Sequence, residues 1–437
     1  MPNHSIRWLR LALAGLTGTA LLTSMTVTPA SGSPEPEARP GNSSVDFHEW
    51  RSPWAWRAGQ LEGVAVVPSG GVVFNRPQGT VDYTDPHTQT TRTYEYSRWT
   101  SPTYKQKFAA TELVASWNAS TPAGTWLQVE MRGQTSAGAE TKWYVMGRWA
   151  SGDTDIRRTS VPGQGDATGN VDVDTFQAKA GQPLSGYQLR VTLYRLPGTK
   201  SSPHVRMVGA MTSAVPERFT VPISPAGGAW GVELPVPRYS QNVHRGKYPE
   251  YGGGGEVWCS PTSSTMVLEY WGRRPSTKDM AWIEPGYVDP SVAHAARYNW
   301  DHDYEGAGNW PFNTAYASSY GMDGHITRLS SLRELERYIL QGIPVITSQS
   351  FLASELDGAG YGTSGHIMVV VGFTKDGDVI ANDPASPNNP AVRHVYKRAQ
   401  FETIWQRTKR HLANGSVGGG PGGIAYIIRP PHYPLPR

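Results

Sequence analysis

Hydrophobic and polar positions follow three different patterns along the 437 residues. Met1 to Arg10 carries Arg7 and Arg10 and no acid, Leu11 to Leu22 is apolar and rich in Leu, Ala and Gly, and small residues surround Thr28, Pro29 and Ala30. That order predicts a signal peptide over 1–30, cleaved after Ala30, and hence a secreted, extracellular protein. The apolar run is short for a membrane span of about 20 residues. No later stretch is long and apolar enough to cross, so no membrane association is expected after cleavage. Residues 31–44 are mostly Pro, Glu, Gly and Ser and read as a disordered spacer.

From about 45 to 218 the period changes to two. Leu127, Val129 and Met131 alternate with Gln128, Glu130 and Arg132; Tyr187, Leu189, Val191 and Leu193 alternate with Gln188, Arg190 and Thr192. Val171 to Asp174 alternates as well. This is the period of half-buried strands. Turn clusters such as Pro162 to Gly165 and Pro68 to Gly71 separate them, so an all-β sandwich, jelly-roll-like, is expected. Residues 219–234, with Pro222, Pro225, Gly227 and Gly228, read as a linker. A second domain over 235–437 mixes helical stripes with β-forming runs.

Composition narrows the function. Net charge is +4 with no dense Lys/Arg block, so nucleic-acid binding is not expected. Eight of the 16 Trp residues (50, 54, 56, 99, 117, 126, 143 and 149) fall in the first domain. They fit either core packing or an aromatic platform for a glycan or cell-wall polymer. Asp153 with Asp155, and Asp172 with Asp174, are weak calcium candidates against the alternative of solvated strand faces.

The chain has one cysteine, which permits neither an intramolecular disulfide nor a Cys-rich zinc site. Cys259 follows the glycine run Gly252 to Gly255 and precedes an apolar helical stripe of Met266, Leu268, Tyr270 and Trp271. Pro261 suits a first helical turn and Gly272 a helix C-terminus. Cys259 is therefore expected at the N-terminus of a buried helix, where the helix dipole and free N–H groups favour a thiolate. A thiolate nucleophile needs a base. His366 opens the strongly β-forming run Gly365 to Phe373. A partner strand, Val379 to Asp383, follows the turn Lys375 to Asp378. A two-residue turn would pair Val370 with Asp383. That leaves His366 on the same face as Asp383 but four residues along, so a bulge or longer loop must shift the pairing before the two meet.

The segments Leu234 to Gln241 and Cys259 to Leu268, with Tyr270 and Gly272, resemble the papain-like cysteine peptidases related to the bacteriocin-leader (double-glycine) peptidases. The amphipathic helix Leu332 to Leu340, the strand entry Gln341 to Ile346, Gly365-His366 and Asn382-Asp383-Pro384 fit the same resemblance, which spans about 235–410. It implies an α+β papain-like domain. It implies Cys259 as nucleophile, His366 as base, Asp383 as orienter of the imidazole, and Gln241 as a side-chain donor to the oxyanion. No metal or organic cofactor is implied. Two departures stand out: Gln241 lies eighteen residues before Cys259, so 242–258 is an insertion, and Ser260 stands where relatives often have Gly. Trp310, in the aromatic segment Gly306 to Phe312, and Gly365 are candidate substrate contacts. The Gly-rich segment Phe351 to Thr363 is a candidate loop over the cleft. Trp300 to Tyr304 has the local look of a metal site but reads better as a surface loop.

The resulting expectation is a secreted cysteine peptidase acting on peptide or protein substrates through an acyl-thioester. Two alternatives stay open. One is a thiol amidase or transglutaminase acting on cell-wall or protein substrates. The other is an exported glycan-binding protein whose peptidase-like domain is inert.

Overall fold

A computed structural model describes residues 43–436. The expected leader 1–30 and the expected spacer 31–44 up to residue 42 lie outside the described residues, and the last spacer residue, Ser44, already begins a strand, Ser44–Trp50. The chain is largely β-sheet with few helices, arranged as N-terminal and C-terminal domains.

Two antiparallel sheets make the N-terminal domain. One runs Gly169–Asp172, Thr175–Ala178, Glu112–Ser120, His204–Ala214, Val72–Phe74, Val64–Val66, with Ser44–Trp50 also on His204–Ala214. The other runs Gln60–Glu62, Thr91–Thr100, Leu184–Arg195, Thr125–Thr135, Tyr144–Trp149, with Gly79–Thr84 also on Thr91–Thr100. The period-two pattern explains the packing: Leu127, Val129, Met131, Leu189, Val191 and Leu193 meet Trp117, Val208 and Ala210 of the opposite sheet in one apolar core.

The alternation over Val171 to Asp174 is not one strand. Asp172 pairs with Thr175 across a two-residue turn, and Val173 takes a left-handed φ of 54°. Alternation cannot reveal a turn whose left-handed residue is β-branched Val rather than Gly or Asn. Six of the eight tryptophans are buried. Trp143 lies under two guanidiniums, Arg190 and Arg132, at 4.1 and 4.9 Å from its ring centre. Trp54, 76% exposed, is the ring left open to solvent.

The C-terminal domain is built on a six-stranded antiparallel sheet, in the order Asp323–Arg328, Ile424–Arg429, Val345–Phe351, Thr363–Phe373, Val379–Asn382, Arg393–Tyr396. Helices cover both faces. Ile367, Val369 and Val371 meet Met266 and Val267 of the helix Cys259–Tyr270. Met368 and Val370 meet Leu335 and Ile339 of Leu332–Leu340 and Phe401 and Trp405 of Arg398–Gln406.

The segment 219–234 is not loosely held. Gly227 and Ala229 donate their N–H groups to Glu336 Oε2, and the Leu234 N–H donates to the Val371 carbonyl. The two domains share a dense seam. Phe312 and Ala315 of the helix Trp310–Ser319 sit in the sandwich core, Arg51 pairs with Asp323 at 2.6 Å, and Ile326 N–H donates to Ser116 Oγ.

Candidate active site

The helix Cys259–Tyr270 begins at the cysteine, and residues Ser260 to Leu268 are all buried. Its hydroxyls let it approach its neighbours closely while satisfying their polar groups. Ser263 Oγ donates to the Ile367 carbonyl, Ser264 Oγ donates to Asn313 Oδ1, and Ser260 and Tyr426 hydroxyls share a 3.1 Å bond. The Ser263 contact fixes the helix against the strand Thr363–Phe373, one residue from His366. Gly272, with φ 68°, ends the helix as expected.

The insertion 242–258 folds back on itself. Gly252 to Gly255 all have positive φ, and the Gly255 N–H donates to the Gln241 carbonyl. The glycine run therefore specifies one left-handed path, rather than supplying slack as its composition suggests. A side chain at Gly254 would fall on the His244 carbonyl oxygen. His244 is buried, stacks on Tyr287, packs at a tilt against Trp258, and shares one hydrogen bond with the Tyr287 hydroxyl; burial pushes its imidazole down to about 4.

His366 and Asp383 are brought together. Val369 pairs with Asn382 and Val370 with Ala381, and the register slips between Val370 and Gly372. Continuing that register sets Asp383 opposite Met368, two residues from His366 and on its face. The five-residue loop Thr374 to Asp378 supplies one residue of the shift that a two-residue hairpin lacks, and the bulge supplies the other. His366 Nε2 donates to Asp383 Oδ1 at 2.8 Å, with the two side chains only 4% and 1% exposed. Cys259 is near enough to raise the pKa of the imidazole, and with Nε2 committed to Asp383, Nδ1 is the ring nitrogen left for the sulfur. Burial opposes the imidazolium, but the Asp383 charge and the bonds to Asp383 and Cys259 outweigh it and push the pKa up to about 10. Asp383 is held well below the usual carboxylate range: burial works against it, and His366, Tyr396 and the Ala385 N–H more than compensate.

Two residues that no local pattern singled out complete this site. Tyr361 and Tyr396 both donate their hydroxyls to Asp383 Oδ2, at 2.8 and 2.7 Å. Tyr361 belongs to the Gly-rich segment expected as a loop over the cleft. Its lone aromatic ring among glycines was the available signal.

The remaining candidates are placed as follows. Gln241 is 2% exposed, its N–H donates to the Pro384 carbonyl next to Asp383, and its Oε1 is buried without a hydrogen-bond partner. Gly365 is exposed beside His366. Trp310 is half-buried against the same apolar cluster that Cys259 touches. The segment Trp300 to Tyr304 is a different object from a surface loop or a metal site. Asp301 is fully buried and spends its carboxylate on Ser160, Asp303 and Tyr304 N–H groups, the Ser160 hydroxyl and Asn309 Nδ2. Asp153 pairs with Arg297, Asp155 accepts from the Gly124 N–H and Asp174 from the Trp310 N–H. Among the described residues, no three His, Cys, Asp or Glu side chains are grouped to hold a metal ion. A separate polar cleft of about 430 Å³ opens between Tyr83, Arg92, Asp153, Arg157, Tyr251 and Arg297, and contains none of the Cys259 group.

Comparison with known proteins gives a family match on each domain. Residues 46–213 match the family model described as the Peptidase C39 N-terminal domain, and residues 233–413 match the Peptidase_C39 like family. The curated proteins give no match. Among solved structures, one titled "Structure of infectious bursal disease virus Gt strain" is 12% identical over 42% of this chain and 37% of that chain, with a TM-score of 0.20, too low to bear on the fold. The two family matches together make this chain a C39-type, bacteriocin-leader-like cysteine-peptidase-like protein.

Proposed function

We propose that the protein is a secreted cysteine peptidase with a papain-like α+β catalytic domain, hydrolysing peptide bonds through an acyl-thioester on Cys259. The observation that carries this reading is the His366 imidazole, buried and hydrogen-bonded to Asp383 at 2.8 Å, with its pKa raised further by the neighbouring Cys259. In this mechanism Nδ1 of His366 takes the thiol proton, and the sulfur attacks the substrate carbonyl carbon. Asp383 stabilises the imidazolium and fixes the ring. Gln241 and the unpaired N–H at the start of the Cys259 helix receive the oxyanion, a donor of this kind contributing about 3 kcal/mol in the transition state. The imidazolium then protonates the leaving amine, and water, activated by the same nitrogen, releases the acyl group.

The test is intact-mass detection of the acyl-enzyme, with product analysis, on a mixed peptide library. Cleavage should vanish in Cys259→Ala and fall by about a hundredfold or more in Gln241→Ala. Incorporation of an added primary amine in place of hydrolysis would mark a transglutaminase. Release of fragments from purified peptidoglycan, without peptide cleavage, would mark a cell-wall amidase. Acyl-enzyme with none of these substrates would contradict thiol catalysis altogether.

A further inference from the structure

The polar cleft of about 430 Å³ lies where the two domains meet and contains none of the Cys259 group. The N-terminal domain supplies Tyr83, Arg92 and the loop 153–157; the C-terminal domain supplies Tyr251, from the insertion 242–258, and Arg297, from the helix Pro290–Asn299. Three guanidiniums face three carboxylates here. Arg297 Nε donates to Asp153 Oδ2 at 2.6 Å, and Arg92 lies 3.9 Å from Asp155. Burial works against the Asp153 charge, but Arg297 and the neighbouring Arg158 and Arg157 hold its pKa below the ordinary value. Asp85 accepts from the N–H groups of His87, Thr88 and Arg157. The Arg157 guanidinium makes one hydrogen bond, to the Asp153 carbonyl at 3.2 Å, and so has donors to spare. Two half-buried phenol rings, Tyr83 and Tyr251, flank these groups, and the one aliphatic lining residue, Ile156, is only 2% exposed. The cleft continues onto a sheet face. Arg148 lies over the Tyr83 ring at 5.3 Å, and its Nε donates to Gln128 Oε1 at 2.9 Å. Strand pairing sets Arg148 opposite Gln128, Gln128 opposite Thr192, and Thr192 opposite Arg98. These four alternate with Trp149, Leu127, Val191 and Trp99 of the sandwich core, so they form a polar row on the other face.

We propose that this cleft and row bind a neutral glycan chain, at a site separate from Cys259 and independent of whether that thiol is reactive. A surface that recognises anions carries cations in excess; here guanidiniums and carboxylates are matched. A peptide groove offers a free strand edge or apolar sockets. Here the strand Tyr144–Trp149 is already bridged to Thr159 through Arg148, and the aliphatic lining is a single buried Ile. A sugar ring has an apolar C–H face and a rim of hydroxyls that both donate and accept. The C–H face fits a phenol ring, apolar on its face and polar at its tip. The rim fits planar guanidinium, carboxylate and amide groups, whose directions are fixed by their mutual pairing. The volume falls within the about 300–1,000 Å³ of ligand clefts, and a chain longer than the cleft continues along the row toward Arg98. The insertion 242–258 thereby gains a use: it holds Tyr251 as the far wall, with the Tyr251 carbonyl accepting from Trp258 Nε1 at 2.7 Å.

The test is titration calorimetry of the full chain with neutral tetrasaccharides: cellotetraose, xylotetraose, mannotetraose and the N-acetylglucosamine tetramer. Tetragalacturonate and tetraglutamate stand beside them as an anionic sugar and an acidic peptide. At least one neutral tetrasaccharide should bind with a Kd below about 1 mM. Arg157→Ala and Tyr83→Ala should each raise that Kd about tenfold, the loss of one charge-assisted hydrogen bond or one ring contact. Tyr83→Phe keeps the ring and should stay within about twofold of the parent. The Cys259 alkylation rate should be the same in all four proteins, because the cleft contains none of its group. If Tyr83→Ala does not fold, Arg157→Ala, whose lost guanidinium bonds a single carbonyl, decides alone. Binding of none of the four neutral sugars overturns the proposal. So does binding that Arg157→Ala leaves unchanged, or a preference for tetragalacturonate or tetraglutamate.

Discussion

Tyr361 and Tyr396 converge on one oxygen of Asp383, whose other oxygen holds His366 and the Ala385 N–H. A buried carboxylate with this many donors stays ionised and stays still. Removing one phenol hydroxyl leaves it under-bonded, at a cost of about 1–3 kcal/mol. Tyr396→Phe and Tyr361→Phe are each expected to lower urea-unfolding stability by that amount and to slow Cys259 alkylation. Stability should also follow pH. The His366 pKa rises from an ordinary 6.5 to about 10 in the fold. Its contribution is whole below about 6.5 and drains away as pH climbs toward 10. The parent should therefore lose stability between pH 7 and 10, and His366→Ala should lose less over that window, in parallel urea titrations. At this scale the sequence was informative where chemistry and strand period coincide: a lone Cys before a helical stripe, a His opening a β run, an Asp ending its partner. The bonds of the two tyrosines to Asp383 were not legible, although Tyr361 stood out as a ring between glycines. They reach Asp383 from 22 and 13 residues away, and phenol contacts at such separations leave no periodic trace.

Elements show where composition misleads. The helix Leu332–Leu340 and the strands Thr125–Thr135 and Leu184–Arg195 contain the expected segments because one face of each is apolar at a single period. The run Gly252 to Gly255 reads as slack, yet four successive positive φ angles make it a defined turn that returns the chain to Gln241. Gly254→Ala should cost about 3 kcal/mol, from the left-handed backbone and the collision with the His244 carbonyl. Limited proteolysis should then cut within 242–258, a segment expected to resist in the parent. Equal resistance of the two proteins would mean that the insertion is not held as described. The hairpin at Val379–Asn382 carries the converse lesson. A two-residue turn needs its register shifted, and the five-residue loop Thr374 to Asp378 and the slip between Val370 and Gly372 each supply one residue of that shift. A sequence does not say where a bulge falls, because the extra residue costs only a local bend.

The whole molecule is more unified than its linker composition suggests. Val114 and Met211 of the sandwich lie in the core cluster of the cysteine helix, and Phe312 and Ala315 lie in the core cluster of the sandwich. Seam residues such as these look like any core residue in a sequence, so a Pro- and Gly-rich stretch at 219–234 suggested a separation that the packing does not have. Residues 219–437 alone should expose this seam, bind a hydrophobic dye strongly and unfold without a sharp transition, whereas the full chain unfolds cooperatively. All of this architecture serves one claim, that Cys259 and His366 form a working nucleophile–base pair. The most direct measurement is the rate of iodoacetamide alkylation of the full chain against pH, read by intact mass, with His366→Ala beside it. One thiol makes the readout unambiguous. An isolated thiol, with a pKa of about 8.5, reacts slowly at pH 6. Fast labelling at pH 6 that disappears in His366→Ala is the expected result. Labelling that rises only near pH 8–9 and ignores the His366 substitution would contradict the pair and leave the catalytic domain inert.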